Sequence, residues 1–202
     1  MNQKERMLAG LPYKAWLDGL SQERQATKQK IFNFNHLSPA ELSQTDALIK
    51  EIIGTHGDSL HIEAPFHCDY GSNIEIGNNF FANYHCVMLD VAKITIGENV
   101  MFAPNVSLYT AGHPLHPVSR NSGYEYGLPI TIGDNVWLGG NVIVNPGVRI
   151  GDNVVVGSGS VVTKDLPDNV VAVGNPCQII REITDEDRDF YYRKERFDVS
   201  DY

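Results

Sequence analysis

The chain contains Ile130-Thr131-Ile132-Gly133-Asp134-Asn135, and this pattern of aliphatic residue, any residue, Ile, Gly, acid or Asn, and Asn occurs three more times. The other copies span residues 74–79, 94–99 and 148–153. Aliphatic residues also recur every six positions, as in Ile130, Val136, Val142, Val148 and Val154. A six-residue period predicts a short strand plus a corner, with one aliphatic side chain per strand pointing inward and Gly or Asn at corners with positive φ. Three such strands close one coil, and stacked coils bury a continuous aliphatic column.

The repeats occupy only part of the chain. We predict a helical N-terminal region over 1–57, a β-helix domain over 58–180 and a charged tail over 181–202. Within the helical region, Ser38 is expected to cap a helix that starts at Pro39, with Glu41 as the capping-box partner. The six-residue period is interrupted at about 109–129, which indicates an inserted loop. Repeat proteins often use such insertions to present binding groups.

The composition excludes several classes of protein. In 202 residues, 16 Lys and Arg face 25 Asp and Glu, which gives a net charge of −9. Nucleic-acid binding needs a basic face, so we expect no nucleic-acid partner, although a local basic pocket for one anionic cofactor stays possible.

Three scattered cysteines predict reduced thiols. No apolar run reaches the roughly 20 residues of a membrane span, and no signal peptide is recognisable, so we expect a cytoplasmic protein without a membrane partner.

Several stretches are more specific than the hexad itself. They are Met7-Leu8-Ala9-Gly10, Phe34-Asn35-His36, Cys68-Asp69-Tyr70-Gly71-Ser72-Asn73-Ile74, Asn79-Phe80-Phe81-Ala82-Asn83, Gly112-His113-Pro114, Ile132-Gly133-Asp134-Asn135-Val136-Trp137, Val161-Val162-Thr163-Lys164-Asp165 and Gly174-Asn175-Pro176. Together they resemble the hexapeptide-repeat acyltransferases, in particular the bacterial maltose and galactoside O-acetyltransferases. The resemblance spans nearly the whole chain. It implies a mainly β fold, a left-handed parallel β-helix with N-terminal helices, a homotrimer, and acetyl-CoA as cosubstrate without a metal.

His113 is the strongest catalytic candidate, because it opens the insertion and because histidine is the side chain suited to proton transfer near neutral pH. A sugar hydroxyl is almost un-ionised at pH 7, so its acetylation needs a base. The resemblance implies that His113 removes this proton and that the oxygen attacks acetyl-CoA directly, with no covalent enzyme intermediate. It also implies that Asn83 positions the acceptor. His116 has no such support and is expected to be a solvated loop residue.

The acceptor is expected to bind through carboxylates. Asp69 and Asp90 are the two acids that could accept hydrogen bonds from sugar hydroxyls, although either could instead be a solvated coil residue. The N-terminal region would cover this site in the resembling family. Ala15 departs from the pattern, because some sugar acetyltransferases have an acid there, which leaves the acceptor sugar open.

The cofactor residues follow from the resemblance, in which coenzyme A lies in the groove between neighbouring β-helices. They would be Trp137, Gly140, Ser158, Thr163, Lys164, Gln178 and Arg181. Without a Cβ, Gly140 would let its backbone N–H approach the thioester carbonyl and stabilise the oxyanion. Lys164 and Arg181 would supply positive charge for the phosphates, and Gln178 stands where relatives can have a basic residue.

Two other functions fit a β-helix of this kind. Hexapeptide-repeat proteins also include trimeric zinc carbonic anhydrases, in which histidines from two subunits bind the metal, and His85, His113 and His116 could be imagined in that role. The second alternative is a non-catalytic β-helix that serves as a binding or assembly module. Loss of the histidine would be typical of that case, and His113 is present.

Overall fold

The computed structural model describes residues 1–199 and 201. Most of the chain forms a parallel β-helix whose short strands lie on three faces. The first face contains Thr55–His56, Ile74–Ile76, Ile94–Ile96, Ile130–Ile132 and Arg149–Ile150; the second contains Leu60–Ile62, Phe80–Ala82, Met101–Phe102, Trp137–Leu138, Val155–Val156 and Val170–Val173; and the third contains His67–Cys68, Val87–Leu89, Ser107–Tyr109, Ile143–Val144 and Val161–Val162. The predicted β-helix is confirmed.

The six-residue period builds the core. Every residue of the register Ile130, Val136, Val142, Val148 and Val154 is at most 3% exposed. Strands on the first face alternate between buried and half-exposed positions, so the two isoleucines of each repeat point inward and the residue between them points outward. Burial of such aliphatic side chains is the main favourable term in folding. The predicted aliphatic column is therefore present.

Asparagines turn the corner between the first and second faces, which we call the first corner. Asn79, Asn99, Asn135, Asn153 and Asn169 all have φ between 55° and 60°. Their side chains form a ladder, in which each Nδ2 donates to the Oδ1 of the next asparagine over 2.8 to 3.2 Å. Asn tolerates the left-handed region better than other residues with a Cβ. The corner therefore combines a backbone requirement with a continuous hydrogen-bond chain.

The glycines of the repeat have a different role from the predicted one. Gly133 does not have positive φ; a Cβ there would overlap the Asp152 side chain and approach the Gly151 carbonyl carbon to 2.8 Å. The space is needed because Asp152 Oδ1 accepts from the Asp134 N–H at 2.8 Å. Asn supplies the positive φ, and Gly allows the coils to approach closely.

Helices close the first end of the column. Helices α1 (Gln3–Leu8), α2 (Leu20–Asn35) and α3 (Leu42–Ile52) precede the first strand. Their residues Ile31, Phe34, Ile49 and Ile52 join the main core, together with Ile53 just after α3. The predicted helix start at Pro39 is wrong: the Ser38 carbonyl accepts from the Glu41 N–H at 2.9 Å in a turn, and α3 begins only at Leu42.

At the other end of the β-helix an antiparallel strand is added to the second face. Gln178–Glu182 pairs with Val170–Val173 and crosses the boundary predicted at residue 180. A 3₁₀ helix at Asp185–Asp189 and a small hairpin of Phe190–Tyr192 with Glu195–Arg196 follow. Within residues 1–199 and 201, no helix combines the length and the apolar character required to cross a membrane.

The asparagine ladder can be tested with two substitutions at one position. Asn135→Gly keeps the positive φ accessible and removes only the ladder contacts, so we expect a loss of about 1 kcal/mol in the free energy of unfolding. Asn135→Ala also introduces left-handed strain and should lose about 2 to 3 kcal/mol. Urea denaturation of both variants beside the parent protein measures the difference. Equal losses would show that the backbone requirement contributes nothing.

Candidate active site

The insertion leaves the β-helix at the corner between the third and first faces, which we call the third corner. Ala111–Gly112 pairs antiparallel with Tyr126–Gly127, and helix α4 (Pro117–Asn121) lies between them. Thr110 fixes the departure point, because its buried hydroxyl donates to the Leu89 carbonyl at 2.6 Å and accepts from the Ala92 N–H at 2.9 Å. The base of the insertion is thus rigidly joined to the coil beneath it.

The N-terminal segment is joined to the far strand of the insertion. Tyr13 and Glu125 exchange two backbone hydrogen bonds, of 2.9 Å and 3.0 Å. The Tyr13 side chain is fully buried with Met7, Leu20, Tyr70 and Val91, apart from the main core. Burial, and then the negative charge of Glu125, raise the pKa of the Tyr13 hydroxyl, so this group stays protonated. Tyr13 therefore fixes the position of Glu125.

His113 lies beside this carboxylate. Its Nε2 is 3.7 Å from Glu125 Oε2, and its side chain is 59% exposed while that of Glu125 is 17% exposed. This separation is too long for a direct hydrogen bond but short enough for electrostatic contact between the two side chains. The imidazole is open to a ligand on one side and faces a partly buried acid on the other. This arrangement suits a general base.

Two clefts meet at His113. The inner cleft has a volume of about 360 Å³ and is lined by Ala15, Arg24, Asp69, Leu89, Val91, Ala111, His113 and Glu125. The outer cleft has a volume of about 340 Å³ and is lined by Ala15, Trp16, His113, Arg120, Gly123 and Glu125. Ala15, His113 and Glu125 belong to both. The position where the sequence departs from the family pattern thus lies at the junction of the two clefts.

Arg24 organises the inner cleft. Its Nη1 donates to the Tyr70 hydroxyl at 2.6 Å and its Nη2 donates to the Ala15 carbonyl at 2.7 Å. Asp69 lies in the same cleft; burial raises the pKa of this carboxyl, and the positive charge of Arg24 opposes the shift. The cleft therefore offers hydroxyl groups both charged acceptors and a charged donor.

Asp90 has a structural role, which corrects the expectation that it binds the sugar. The residue is 0% exposed. Its Oδ1 accepts from the backbone N–H groups of Asp69 at 2.9 Å and Tyr70 at 2.8 Å, and its Oδ2 accepts from the Asn73 N–H at 3.3 Å. With both oxygens used inside the fold, Asp90 supports the turn that positions Asp69 and is itself closed to ligands.

Asn83 is not brought to His113 within one chain. It lies at the corner between the second and third faces, which we call the second corner, and its Oδ1 accepts from the Tyr84 N–H at 2.8 Å. Gly140 and Ser158 lie farther along this corner, where the Gly140 carbonyl accepts from the Gly159 N–H at 2.8 Å. A Cβ on Gly140 would meet only the Pro104 carbonyl oxygen at 3.5 Å and the Ser158 hydroxyl at 4.0 Å, so packing within the chain does not require glycine there.

The remaining cofactor candidates are spread over two further places. Trp137 is on the second face and is 49% exposed. Thr163 and Lys164 are exposed at the third corner, and Gln178 is exposed on the antiparallel strand. Arg181, on the same strand, is paired with Asp187: its Nη1 and Nη2 donate to the two carboxylate oxygens at 2.7 and 2.8 Å. A phosphate would have to compete with Asp187 for this guanidinium.

The described residues contain no group of three or more His, Cys, Asp or Glu side chains that could hold a metal ion. His85 is at the second corner, whereas His113 and His116 belong to the insertion. The Nδ1 of His116 accepts from the Val118 N–H at 3.3 Å and so caps α4. His116 is thus an exposed loop residue with a local structural contact.

Two family models match the chain. Residues 129–164 match the bacterial transferase hexapeptide of six repeats, and residues 6–57 match the maltose acetyltransferase hexapeptide capping motif. The galactoside O-acetyltransferase of Escherichia coli K12 is 46% identical over 200 residues, which cover 99% of this chain and 98% of that protein. This chain belongs to the hexapeptide-repeat acetyltransferases.

Solved structures of other family members extend the comparison. A maltose O-acetyltransferase from Clostridium difficile 630 is 52% identical, with a TM-score of 0.90 over 92% of this chain and 99% of that one. A galactoside acetyltransferase in complex with coenzyme A is 46% identical, with a TM-score of 0.94 over 98% of this chain and 100% of that one. A relative from Vibrio cholerae binds acetyl coenzyme A at 35% identity, with a TM-score of 0.84 over 92% and 100% of the two chains.

The acetyltransferase contains site residues that the sequence analysis missed. Arg24 and Glu125 line the inner cleft, and Trp16 and Arg120 line the outer one. The only signal for Glu125 and Arg120 was their location in the insertion. Arg24 and Trp16 belong to the helical region, and only the fold shows that this region covers the insertion. The acetyltransferase relatives also argue against the carbonic anhydrase and non-catalytic alternatives.

The buried carboxyl of Asp90 gives a test of pH dependence. Burial raises its pKa to about 7, whereas the unfolded chain ionises near 3.8. The folded state therefore holds the proton more tightly, and the stability contributed by Asp90 falls as pH rises through this interval. Asp90→Asn cannot titrate, so the melting temperature of the parent protein relative to this variant should fall from pH 5 to pH 8. A constant difference across this range would contradict the assignment.

Proposed function

We propose that this acetyltransferase moves the acetyl group of acetyl-CoA directly to a hydroxyl of a sugar of the maltose, glucose or galactoside type, with His113 as the general base. The observation that carries the proposal is the position of His113 at the junction of two clefts, with Glu125 3.7 Å away and with Asp69 and Arg24 in the inner cleft. The coenzyme A and acetyl coenzyme A complexes of the relatives support the choice of donor.

The reaction follows from what these side chains can do. His113 accepts the proton of the attacking hydroxyl as the oxygen forms a bond to the thioester carbonyl carbon. The tetrahedral intermediate then collapses, the carbon–sulfur bond breaks, and the imidazolium returns the proton to the coenzyme A sulfur. The Glu125 carboxylate stabilises the imidazolium between these two steps. No group of the protein becomes acetylated.

The inner cleft is the proposed acceptor site. Asp69 and Glu125 accept hydrogen bonds from the hydroxyls of the sugar, and Arg24 donates to a hydroxyl oxygen while it keeps the N-terminal segment in place. Asp90 acts only through Asp69, because its carboxylate fixes the backbone of residues 69 and 70. Ala15 removes the acid that some relatives have at this point, so the contacts of the acceptor shift to Asp69 and Glu125.

A second copy of the chain completes the proposed site. Asn83 and Gly140 lie at the second corner, whereas His113 lies at the third, so one chain cannot bring them together. The second face exposes Phe81 (36%), Met101 (51%) and Trp137 (49%), whereas the first face presents threonines such as Thr95 and Thr131 between its buried isoleucines. An apolar outer face is typical of a surface that another subunit covers. A homotrimer with closed symmetry gives each His113 an Asn83 from its neighbour.

The same arrangement accounts for the proposed cofactor groove. Trp137, Gly140 and Ser158 come from the second face and second corner, and Thr163 and Lys164 come from the third corner. In a groove between neighbours these two sets face each other along the cofactor. Lys164 then supplies the main positive charge for phosphate, because Gln178 is neutral and Arg181 is already paired with Asp187. A cytoplasmic location stays a prediction.

Replacement of the proposed base tests the mechanism. His113→Ala should lower kcat for acetyl transfer by about 10²- to 10⁴-fold, because general-base catalysis contributes this much. His116→Ala, at an exposed position in the same insertion, is the matched control and should keep the parent rate. Free coenzyme A thiol is measured with maltose, glucose, a thiogalactoside, serine and chloramphenicol as acceptors. A His113→Ala enzyme that works at the parent rate would overturn the assignment.

The shared site can be tested by mixing two inactive variants. His113→Ala and Asn83→Ala should each be nearly inactive, because each destroys one half of every site. When equal amounts are unfolded and refolded together, about one quarter of the sites should contain both intact halves, since each half comes from the appropriate copy with even chance. The acetyl transfer rate should therefore return to about one quarter of that of the parent protein. No recovery in verified mixed oligomers would place both residues in one subunit's site.

A further inference from the structure

The outer cleft is a space that the proposed reaction does not use. It joins the inner cleft through Ala15, His113 and Glu125, and its remaining walls are Trp16, Arg120 and Gly123. Its volume of about 340 Å³ is at the lower end of the range for small-molecule sites. Because Ala15 is small, an acceptor bound beside His113 can extend past it from one cleft into the other.

Trp16 forms an aromatic wall of the outer cleft. Its side chain is 55% exposed, which is unusual for so large an apolar group next to a catalytic candidate. Gly123, at φ 82°, packs against the indole, because a Cβ there would overlap Trp16 Cη2. The Lys14 ammonium lies 5.9 Å from the indole ring centroid. The indole thus contacts Gly123 at one edge, has the Lys14 ammonium over its ring, and still lines the cleft.

Arg120 supplies a polar group at the same cleft. Its Nη1 donates to the carbonyls of Leu115 at 2.9 Å and Pro114 at 3.4 Å, which fixes the guanidinium against the insertion. Among residues 1–199 and 201, none accepts a hydrogen bond from its Nη2 group. Glu125 lines the same cleft and provides carboxylate oxygens. The cleft thus combines an aromatic surface with one charged donor and one charged acceptor.

We propose that the outer cleft is a subsite for the second pyranose ring of a disaccharide acceptor, with Trp16 as its main specificity-determining residue. The inference rests on the proposed sugar acetylation. The apolar C–H face of a pyranose packs on an aromatic ring, and its hydroxyls use Arg120 and Glu125. An aryl group would bury the same indole surface but leave these two charged groups without partners, so the lining favours a sugar ring.

Steady-state kinetics with two acceptors test the subsite. Maltose reaches both clefts, whereas glucose fills only the inner one. Trp16→Ala should lower kcat/KM for maltose by about tenfold, since aromatic packing of this kind contributes about 1 to 1.5 kcal/mol, and should leave kcat/KM for glucose within about twofold. Leu17→Ala is the control, because Leu17 is 41% exposed next to Trp16 but does not line the cleft. Trp16→Phe should retain most of the preference for maltose.

Equal losses for both sugars, or no loss for maltose, would overturn the proposal. A Trp16→Ala protein that fails to fold would lose both activities. Trp16→Leu then decides, because it keeps an apolar side chain but removes the aromatic ring, so it should lose activity toward maltose selectively. A parent enzyme that acetylates neither sugar would instead contradict the proposed function. The kinetic results thus separate failure of the subsite from failure of the reaction.

A binding measurement tests the contact without any acetyl transfer. The chain has two tryptophans, so Trp137→Phe leaves Trp16 as the sole indole fluorophore. Titration with maltose should shift or quench the emission of this variant, and titration with glucose should change it far less. An identical response to the two sugars, or none to maltose at saturation, would show that the second ring does not reach Trp16.

Discussion

The close approach of successive coils at the first corner is the constraint on which the rest of the structure depends. The chain must turn from one face to the next within a few residues, and each coil must still lie directly on the next one. Asparagine supplies the left-handed backbone and the lateral hydrogen bond, while glycine leaves room for the neighbouring carboxylate. Only when these corners stack in register do the inward isoleucines and valines meet in a dry column. The second corner repeats the left-handed position at His85, Asn105, Asn141 and Gly159. The third corner is interrupted by the insertion.

The candidate active site lies where the repeat is interrupted. A regular coil presents side chains only at fixed spacings, and these leave no cleft. The insertion at the third corner departs from this geometry, and the N-terminal segment returns from the helical region to pair with it through Tyr13 and Glu125. The rigid β-helix thus provides the floor of the site, and two irregular segments provide its walls. Buried Asp90 connects the β-helix with the inner cleft, because its carboxylate supports the turn that positions Asp69.

Much of the fold was predictable from the sequence, because its period is local. The register Ile130 to Val154 is visible in the sequence and is buried as expected. The separate roles of Gly and Asn were not predictable, since both follow from contacts between coils rather than within one. The start of α3 was also missed, because a Ser-Pro turn and a helix N-terminus look alike. For the candidate site, the motif around His113 pointed to the place where the two clefts meet, whereas the positions of Arg24 and Trp16 depend on how distant segments fold together.

The two ends of the β-helix carry a consequence for its behaviour at high concentration. A parallel solenoid ends in strands whose backbone groups invite another chain to continue the ladder, which is a route to fibres. At the first end α2 and α3 pack their apolar side chains over the column, and at the other end the strand Gln178–Glu182 runs in the opposite direction. The helix pair blocks continuation of the column at the first end, and the reversed strand ends the parallel pairing of the second face at the other end. The same elements that frame the enzyme thus protect it against end-to-end polymerisation.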